Sequence, residues 1–186
     1  MSRRGEQARA VEKRAVILNA AVDLLLSEGL RGVTHRQVAA AAGVPVGSIG
    51  YYYSTREKLV VTCLEKLFDE RRHAFKHAMG GDVDLTDPVQ FAESVVDIIG
   101  CGSVKRSRNV VYAFVESERE EGEIRGYSEQ VLAELHKMIT EMMREAGIEG
   151  LSASRVAQIA IGSAVTEVHR DAPVAAVTDL LRLAGA

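Results

Sequence analysis

The sequence predicts an all-α protein of about nine helices and no sheet. Apolar residues recur at spacings of three and four along most of the chain, and no stretch between turn signals alternates apolar with polar residues. The 186 residues are 47% hydrophobic and 26% charged, as in an ordinary globular protein. No run approaches the roughly 20 apolar residues of a membrane-spanning helix. We recognise no signal peptide, so we expect a cytoplasmic protein without a membrane partner.

The first half of the chain predicts four helices behind a basic arm. Residues 1–13 form the arm, which we expect to be flexible, and its cations are Arg3, Arg4, Arg9 and Lys13. The first helix spans about 10–28 and stops at Gly29. Two short helices follow within residues 33–53, and a fourth, longer helix runs from about 55 to 78.

The second half predicts five more helices. Asp87 supplies a capping side chain and Pro88 a proline suited to a first helical turn. We expect these helices at about 88–99, 107–118, 128–146, 152–169 and 173–184, with the acidic "EREEGEIRG" segment as a solvated loop. The predicted domains are therefore 14–60, whose fourth helix continues to about 78, and 80–186 after the Gly80-Gly81 pair.

The charges are divided unevenly between the two halves. Residues 1–80 carry 13 Lys and Arg against 8 Asp and Glu, whereas residues 81–186 carry 10 against 18. The overall formal charge is only -3. The front half therefore suits an anionic partner, and the rear half does not.

The segment from Thr34 to Pro45 predicts two short helices joined by a tight turn. Thr34 and Gln37 have the spacing of a capping box, which begins the first short helix. Gly43 supplies the left-handed conformation that ends this helix, and Pro45 suits the first turn of the next. Two short helices with a glycine-containing turn make a helix-turn-helix.

The second helix of such a motif enters the major groove of DNA with its first turns facing the bases. Val46, Gly47 and Ser48 are therefore the expected groove-facing residues, while Ile49 anchors the helix from behind. Ser54 with Glu57 has the spacing of a second capping box, at the start of the fourth helix. The first turn of this helix then predicts a phosphate clamp. It offers free amides, the positive end of the helix dipole and two cations, Arg56 and Lys58.

Three consecutive tyrosines follow the second helix of the motif. Neighbouring residues at a helix end diverge by about 100°, so the three rings cannot all be buried together. We assign Tyr53 to the core, and Tyr51 and Tyr52 to the DNA backbone, where a phenol can donate to a phosphate oxygen. The alternative is that all three fill a hydrophobic corner of a small domain.

Residues from about 14 to 62 resemble the DNA-binding domain of the TetR family of bacterial transcriptional regulators. The resemblance lies in the order of "ILNAA", "EG", a Thr-initiated helix, "AAGV", a Gly-Ser pair, aromatics, and a Ser-x-Arg-Glu start. It implies a homodimer that binds a palindromic operator, usually as a repressor released by a small ligand in the C-terminal domain. It also implies DNA contacts at Thr34, Arg36, Ser48, Tyr51, Tyr52, Arg56 and Lys58.

Two positions depart from the family pattern. Pro45 stands where the family often has a Ser or Thr cap, so that cap and its phosphate contact are missing. Gly50 stands where a tyrosine commonly follows the aliphatic anchor, which suggests that Tyr51 takes over that role. His35 could reach a phosphate or a base edge, although an exposed histidine near a helix start more often does nothing specific.

The middle helices of the rear half carry candidate ligand-binding residues, because the family places its inducer site there. The apolar candidates are Phe91, Tyr112, Phe114, Met138 and Met142, and the polar ones are Glu116, Glu118 and His136. Plain core packing is the alternative for the apolar group. We expect no cofactor and no metal, since His73 and His77 have ligand spacing but lack a third ligand. Cys63 and Cys101 are interpreted as small core residues, with a redox sensor as the alternative.

The last two helices are apolar on most sides, which predicts a helical bundle between two subunits. The competing interpretation is a monomer whose last helices complete its own core. We therefore expect a homodimeric DNA-binding regulator, most often a repressor, with an unknown small-molecule inducer. The alternatives from other classes are a helical protein-interaction module and a cytosolic enzyme, which no phosphate loop, metal cluster or nucleophile motif supports.

Overall fold

The computed structural model describes residues 3–167, 169 and 171–185, and within them the chain forms nine α-helices and two short 3-10 turns, with no strand. The predicted all-α class is confirmed. The helices are α1 Arg3–Glu28, α2 His35–Ala42, α3 Val46–Tyr52, α4 Arg56–Ala78, α5 Pro88–Ile99, α6 Ser107–Ser117, α7 Gly122–Glu145, α8 Ala153–Thr166 and α9 Ala172–Ala184. The 3-10 turns are Leu30–Gly32 and Val104–Arg106.

Three helix ends differ from the sequence-based expectation: the starts of α1 and α7, and the end of α8, which stops at Thr166 instead of near residue 169. Helix α1 already begins at Arg3, so the described part of residues 1–13, expected as an arm ahead of the helix, belongs to α1. Its Ala and Gln residues and its Glu, Lys and Arg residues are good helix formers, and they extend the helix without needing a buried face. Helix α7 begins at Gly122, so only residues 118–121 remain of the expected acidic loop.

The start of α4 corrects the second capping prediction. Thr55, and not Ser54, is the N-cap, and its Oγ1 accepts a hydrogen bond from the Lys58 amide at 3.1 Å. Glu57 does not complete a capping box, because its Oε1 accepts from the Glu123 amide at 2.9 Å. A contact between distant segments has therefore replaced the local one.

Two apolar clusters make up the core, and α4 contributes to both. One cluster joins α1 to α4 and includes Cys101, Val110, Ala113 and Ile124 from the rear half of the chain. The other cluster joins the second half of α4 to α5 through α9. The first four helices therefore share a core with α6 and the start of α7, which contact α1 and α4.

Candidate nucleic-acid interface and internal cavity

The Thr34 cap and the left-handed Gly43 are as the sequence predicts, but the reciprocal half of the capping box is not formed. Pro45 is the N-cap of α3 and lies before its first turn. The Thr34 hydroxyl oxygen accepts from the Gln37 amide at 3.2 Å and caps α2. The same hydroxyl donates to Gln37 Oε1 at 2.7 Å, so the Gln37 side chain does not accept from the Thr34 amide, which donates to Gly32 O. Gly43 is left-handed at φ 64°, and the Gly43 and Val44 amides return to the last turn of α2. The turn fixes α3 relative to α2.

Helix α3 presents one open face and one anchored face. Ile49 is fully buried behind the helix, while Val46 is 52% exposed. A Cβ added at Gly47 would meet nothing within 4 Å, and Ser48 is half-buried beside it. Pro45 precedes the helix without a side-chain cap. The start of α3 is therefore free to approach another molecule closely.

The three tyrosines occupy three different environments. Tyr53 is buried at 2% exposure, and its hydroxyl has no hydrogen-bond partner among the described residues. Tyr51 is 82% exposed, and the half-buried Tyr52 ring lies edge-on to it at 5.0 Å between centroids. The exposed Tyr51 hydroxyl is therefore available to an outside acceptor.

The other predicted contact residues differ in how free their side chains are. Arg36 and Lys58 are less buried than Arg56, whose guanidinium faces its own chain. Its Nη2 donates to Leu30 O at 2.7 Å, and its Nε donates to Val33 O at 3.1 Å. Thr34 and His35 are half-buried. His35 Nε2 is sealed from solvent and has no hydrogen-bond partner among the described residues.

Arg56, at the start of α4, belongs to a junction between the first four helices and the segment at residues 116–123. Its Nη2 lies 3.5 Å from Glu120 Oε1. Glu116 Oε2 accepts from the Leu30 amide at 2.7 Å, across the end of α1. With the bond from Glu123 to Glu57, which is described above, these contacts tie the end of α6 and the start of α7 to the front domain.

A cavity of about 220 Å³ lies between α4, α6, α7 and α8. The polar groups in its wall are Arg71, Glu118 and Ser128. Its apolar lining consists of Ile99, Val110, Val111, Phe114, Val115, Val131, Leu132, Leu135 and Ile161. A mostly apolar hollow with few polar groups is typical of a small-molecule site.

The predicted ligand-binding residues fall into two groups, those that line this cavity and those that lie elsewhere. Phe114 and Glu118 line it. Tyr112 is 46% exposed, Glu116 belongs to the domain junction, and His136 borders a shallow surface groove on α7. The remaining three are packed in the core of the rear domain, where burial alone explains their apolar character: Phe91, Met138 and Met142.

Most of the apolar lining and Ser128 were not predicted, and the charged cavity residue that the prediction missed is Arg71. It falls in the buried stripe of α4, with Leu64, Leu67, Ala74 and Ala78 at helical spacing. A cation in the middle of the apolar stripe of a helix indicates a buried charge, and this feature of the sequence could have identified Arg71. Only 3% of Arg71 is exposed.

The remaining candidates from the sequence are a metal site and two cysteine thiols. No group of three or more His, Cys, Asp or Glu that could hold a metal is found in the described part of the chain. Burial raises the pKa of Cys63 from 9.0 to about 12 and raises that of Cys101 as well. Such thiols stay protonated at neutral pH, which favours their interpretation as core residues. No described helix is long and apolar enough to span a membrane.

Helix α3 is exposed and follows a tight turn, and the rest of the helical fold contains a cavity. These features define the class of helix-turn-helix regulatory proteins. Residues 17–63 match the sequence model of the bacterial regulatory proteins of the tetR family. Over 66 residues the chain is 35% identical to the HTH-type transcriptional regulator RutR of Escherichia coli K12. This match spans 35% of the chain and 31% of RutR, so it covers about a third of the length of that relative.

Solved structures share the fold over nearly the whole chain. One is described as a TetR-family transcriptional regulator from Rhodococcus sp., with a TM-score of 0.68 at 17% identity, over 95% of this chain and 100% of that one. Another is a transcriptional regulator from Saccharomonospora viridis in complex with choline, with a TM-score of 0.72 at 16% identity, over 92% and 94% of the two chains. Residues 17–63 therefore place the N-terminal domain of this chain in the TetR family of bacterial regulatory proteins, and the rest of the chain shares the fold of the solved structures.

Proposed function

We propose that this chain is a sequence-specific DNA-binding transcriptional regulator of the cytoplasm, acting as a repressor that a small molecule releases. The observation that carries the proposal is the open start of α3. Val46 is exposed, Gly47 has free space around it, and Ile49 holds the helix from behind. This arrangement lets the first turn of α3 reach base edges in the major groove.

Backbone contacts come from side chains around that helix. Arg36, Lys58 and Tyr51 carry donors that suit phosphate oxygens. Thr34, His35 and Tyr52 remain proposed contacts at the edge of this surface. We assign Arg56 to the domain junction rather than to a phosphate, because its guanidinium donates to Leu30 O and Val33 O.

A homodimer through α8 and α9 supplies the two recognition helices that a palindromic operator requires. The apolar residues Ile159 and Leu183 are exposed on these helices, and Ile161, Val165 and Leu180 are only partly buried. An unpartnered surface of this kind supports the dimer. Sedimentation of the purified protein measures the oligomeric state directly.

Release of the operator follows from the position of Glu118. It lines the cavity, and it belongs to the 116–123 segment whose neighbours Glu116 and Glu120 hold the front domain. A ligand that favours one arrangement of this segment shifts the population toward a different spacing of recognition helices. Operator affinity then falls because the two helices no longer fit successive major grooves.

Two other classes of function make different predictions. A helical protein-interaction module would keep the fold without enriching any DNA sequence. A cytosolic enzyme would need a nucleophile or a base poised in a cavity. The candidates in the cavity described above are the Glu118 carboxylate and the Ser128 hydroxyl, and the enzyme interpretation predicts turnover of a substrate there. Neither alternative uses the exposed face of α3.

The test is selection of duplexes from a random pool at a stated salt concentration, followed by sequencing. We expect a two-fold symmetric motif with half-sites about one helical turn apart, or a small multiple of it. Val46→Glu places a carboxylate in the groove and should abolish enrichment. Val89→Glu on α5, at another exposed valine, is the matched control and should leave it intact. Equal enrichment by both variants would contradict the proposed role of α3.

A further inference from the structure

We propose that the cavity between α4, α6, α7 and α8 binds a small apolar anion, a monocarboxylate whose head pairs with the guanidinium of Arg71. The inference rests on the proposed function, since it names the ligand class of the site that would control DNA binding. Three observations support it: Arg71 is buried without an anionic partner among the described residues, the cavity is mostly apolar, and its volume is about 220 Å³.

Arg71 is a buried cation whose hydrogen bonds go only to neutral groups. Its Nε donates to Ile98 O at 3.1 Å, and its Nη1 donates to Val131 O at 3.3 Å. The Phe114 ring centroid lies 5.1 Å from its Cζ. No described carboxylate lies within ion-pair distance of it, although buried charges in proteins are normally paired.

One nitrogen of that guanidinium, Nη2, has no oxygen acceptor among the described residues, and it is not among their sealed, unpartnered atoms. A further side-chain hydrogen bond of Arg71 goes to the Cys101 thiol. The thiol of Cys101 is the neighbouring group that could carry negative charge, but burial raises its pKa and keeps it neutral. A carboxylate entering the cavity would supply the missing anion, and guanidinium and carboxylate groups match in geometry.

The remaining polar groups in the wall do not compete for this role. The Ser128 hydroxyl donates to Glu118 Oε1 at 2.6 Å, so it is already engaged. Glu118 is exposed, as are Val115 and Leu132, and these residues mark the open side of the cavity. The carboxylate head of a ligand is therefore expected at the closed end beside Arg71, with its apolar part toward the opening.

The volume limits the size of the ligand. A protein cavity of about 150 Å³ holds benzene, with six non-hydrogen atoms. On that scale the 220 Å³ cavity holds about nine such atoms. Octanoate, octan-1-ol and octylammonium are close to this size and differ only in the head group, as anion, neutral group and cation.

Isothermal titration of the full-length protein with these three probes tests the inference. We expect octanoate to bind about 10- to 100-fold more tightly than octan-1-ol, as for a charge-assisted hydrogen bond. Octylammonium should bind least tightly, because its charge has the same sign as that of Arg71. Arg71→Met should lower octanoate affinity by a similar factor and change octan-1-ol affinity less than about 3-fold.

Arg72→Met is the matched control, because it removes a neighbouring cation of α4 that is largely exposed. It should leave octanoate binding unchanged. Octanoate affinity equal to that of octan-1-ol or octylammonium in the unmodified protein would overturn the inference, even if Arg71→Met failed to fold. Octanoate binding that is insensitive to Arg71→Met would overturn it as well.

Failure of this inference can be told apart from failure of the proposed function by testing the duplex selection separately. A palindromic motif without preferential octanoate binding would overturn the ligand class and leave the regulator intact. Octanoate binding that depends on Arg71, without selection of any DNA motif, would support the ligand class and contradict the regulator.

Discussion

Gly47 and Gly50 are exposed glycines of the same helix, and neither would clash if it carried a Cβ. We expect Gly47→Ala and Gly50→Ala each to raise the free energy of unfolding by about 0.5–1 kcal/mol, because alanine favours helix. Only Gly47→Ala should weaken operator binding, since its methyl group would stand between α3 and the groove floor. Urea unfolding and a duplex titration at fixed salt measure the two effects.

Gly50→Ala is the control for that experiment, because the added atom is the same and the helix is the same. If Gly50→Ala weakened binding and Gly47→Ala did not, the orientation of α3 on DNA would have to be revised.

Lys58 is a cation in the first turn of α4, where its amide is already used by Thr55. Lys58→Ala should weaken binding to all duplexes alike. The slope of log affinity against log salt should become shallower by about 0.9, the value for one phosphate contact. Titrations at four salt concentrations give this slope. An unchanged slope with weaker binding would assign Lys58 to another role.

Local signals in the sequence were enough to predict some single residues, but they could not predict others. The Thr34 cap, the left-handed Gly43 and the Asp87 cap depend on neighbours within a few residues, so their spacing predicts them. Arg56 and Arg71 bond to carbonyl groups 23 to 60 residues away. Which partner a long cation finds at that distance depends on tertiary packing, and no local pattern encodes it.

At the scale of elements, the contact between Glu116 at the end of α6 and Leu30 after α1 joins the front half of the chain to the rear half. Glu116→Ala should lower the free energy of unfolding by about 1–3 kcal/mol, because the Leu30 amide loses a charged acceptor. It should also reduce the effect of ligand on operator affinity. Urea unfolding and operator titrations with and without ligand measure these outcomes.

Glu121→Ala serves as the comparison, because Glu121 is exposed in the same segment. It should change neither quantity by more than about 0.5 kcal/mol. A ligand response that survives Glu116→Ala in full would show that the signal passes along α4 or another route.

Across the whole molecule, a half-buried phenol and a buried thiol should make stability fall at alkaline pH. The pKa of Cys63 and that of Tyr127 are both raised to about 12, chiefly by burial. The unfolded chain releases these protons first, so stability is complete below about pH 9 and decreases as the pH rises toward 12. Urea unfolding at pH 7.5, 9 and 10.5 measures the decrease.

The contribution of Cys63 to that slope can be isolated with Cys63→Ala. The variant starts from a lower stability because of the small cavity it leaves, but its stability should fall less steeply above pH 9. Parallel curves for the two proteins would mean that the Cys63 thiol is not the source of the pH dependence.

Helix α4 contributes to the cores of both halves of the chain, and this limits how the front half could be joined to the rear half of another regulator. Chimeric regulators are made by joining the DNA-binding head of one protein to the body of another. In this protein, three residues of the rear half pack in the same cluster as helices α1 to α4: Val110, Ala113 and Ile124. A graft cut near residue 60 would place a foreign surface against them, so a working chimera must carry the matching positions of α6 and α7 with the head.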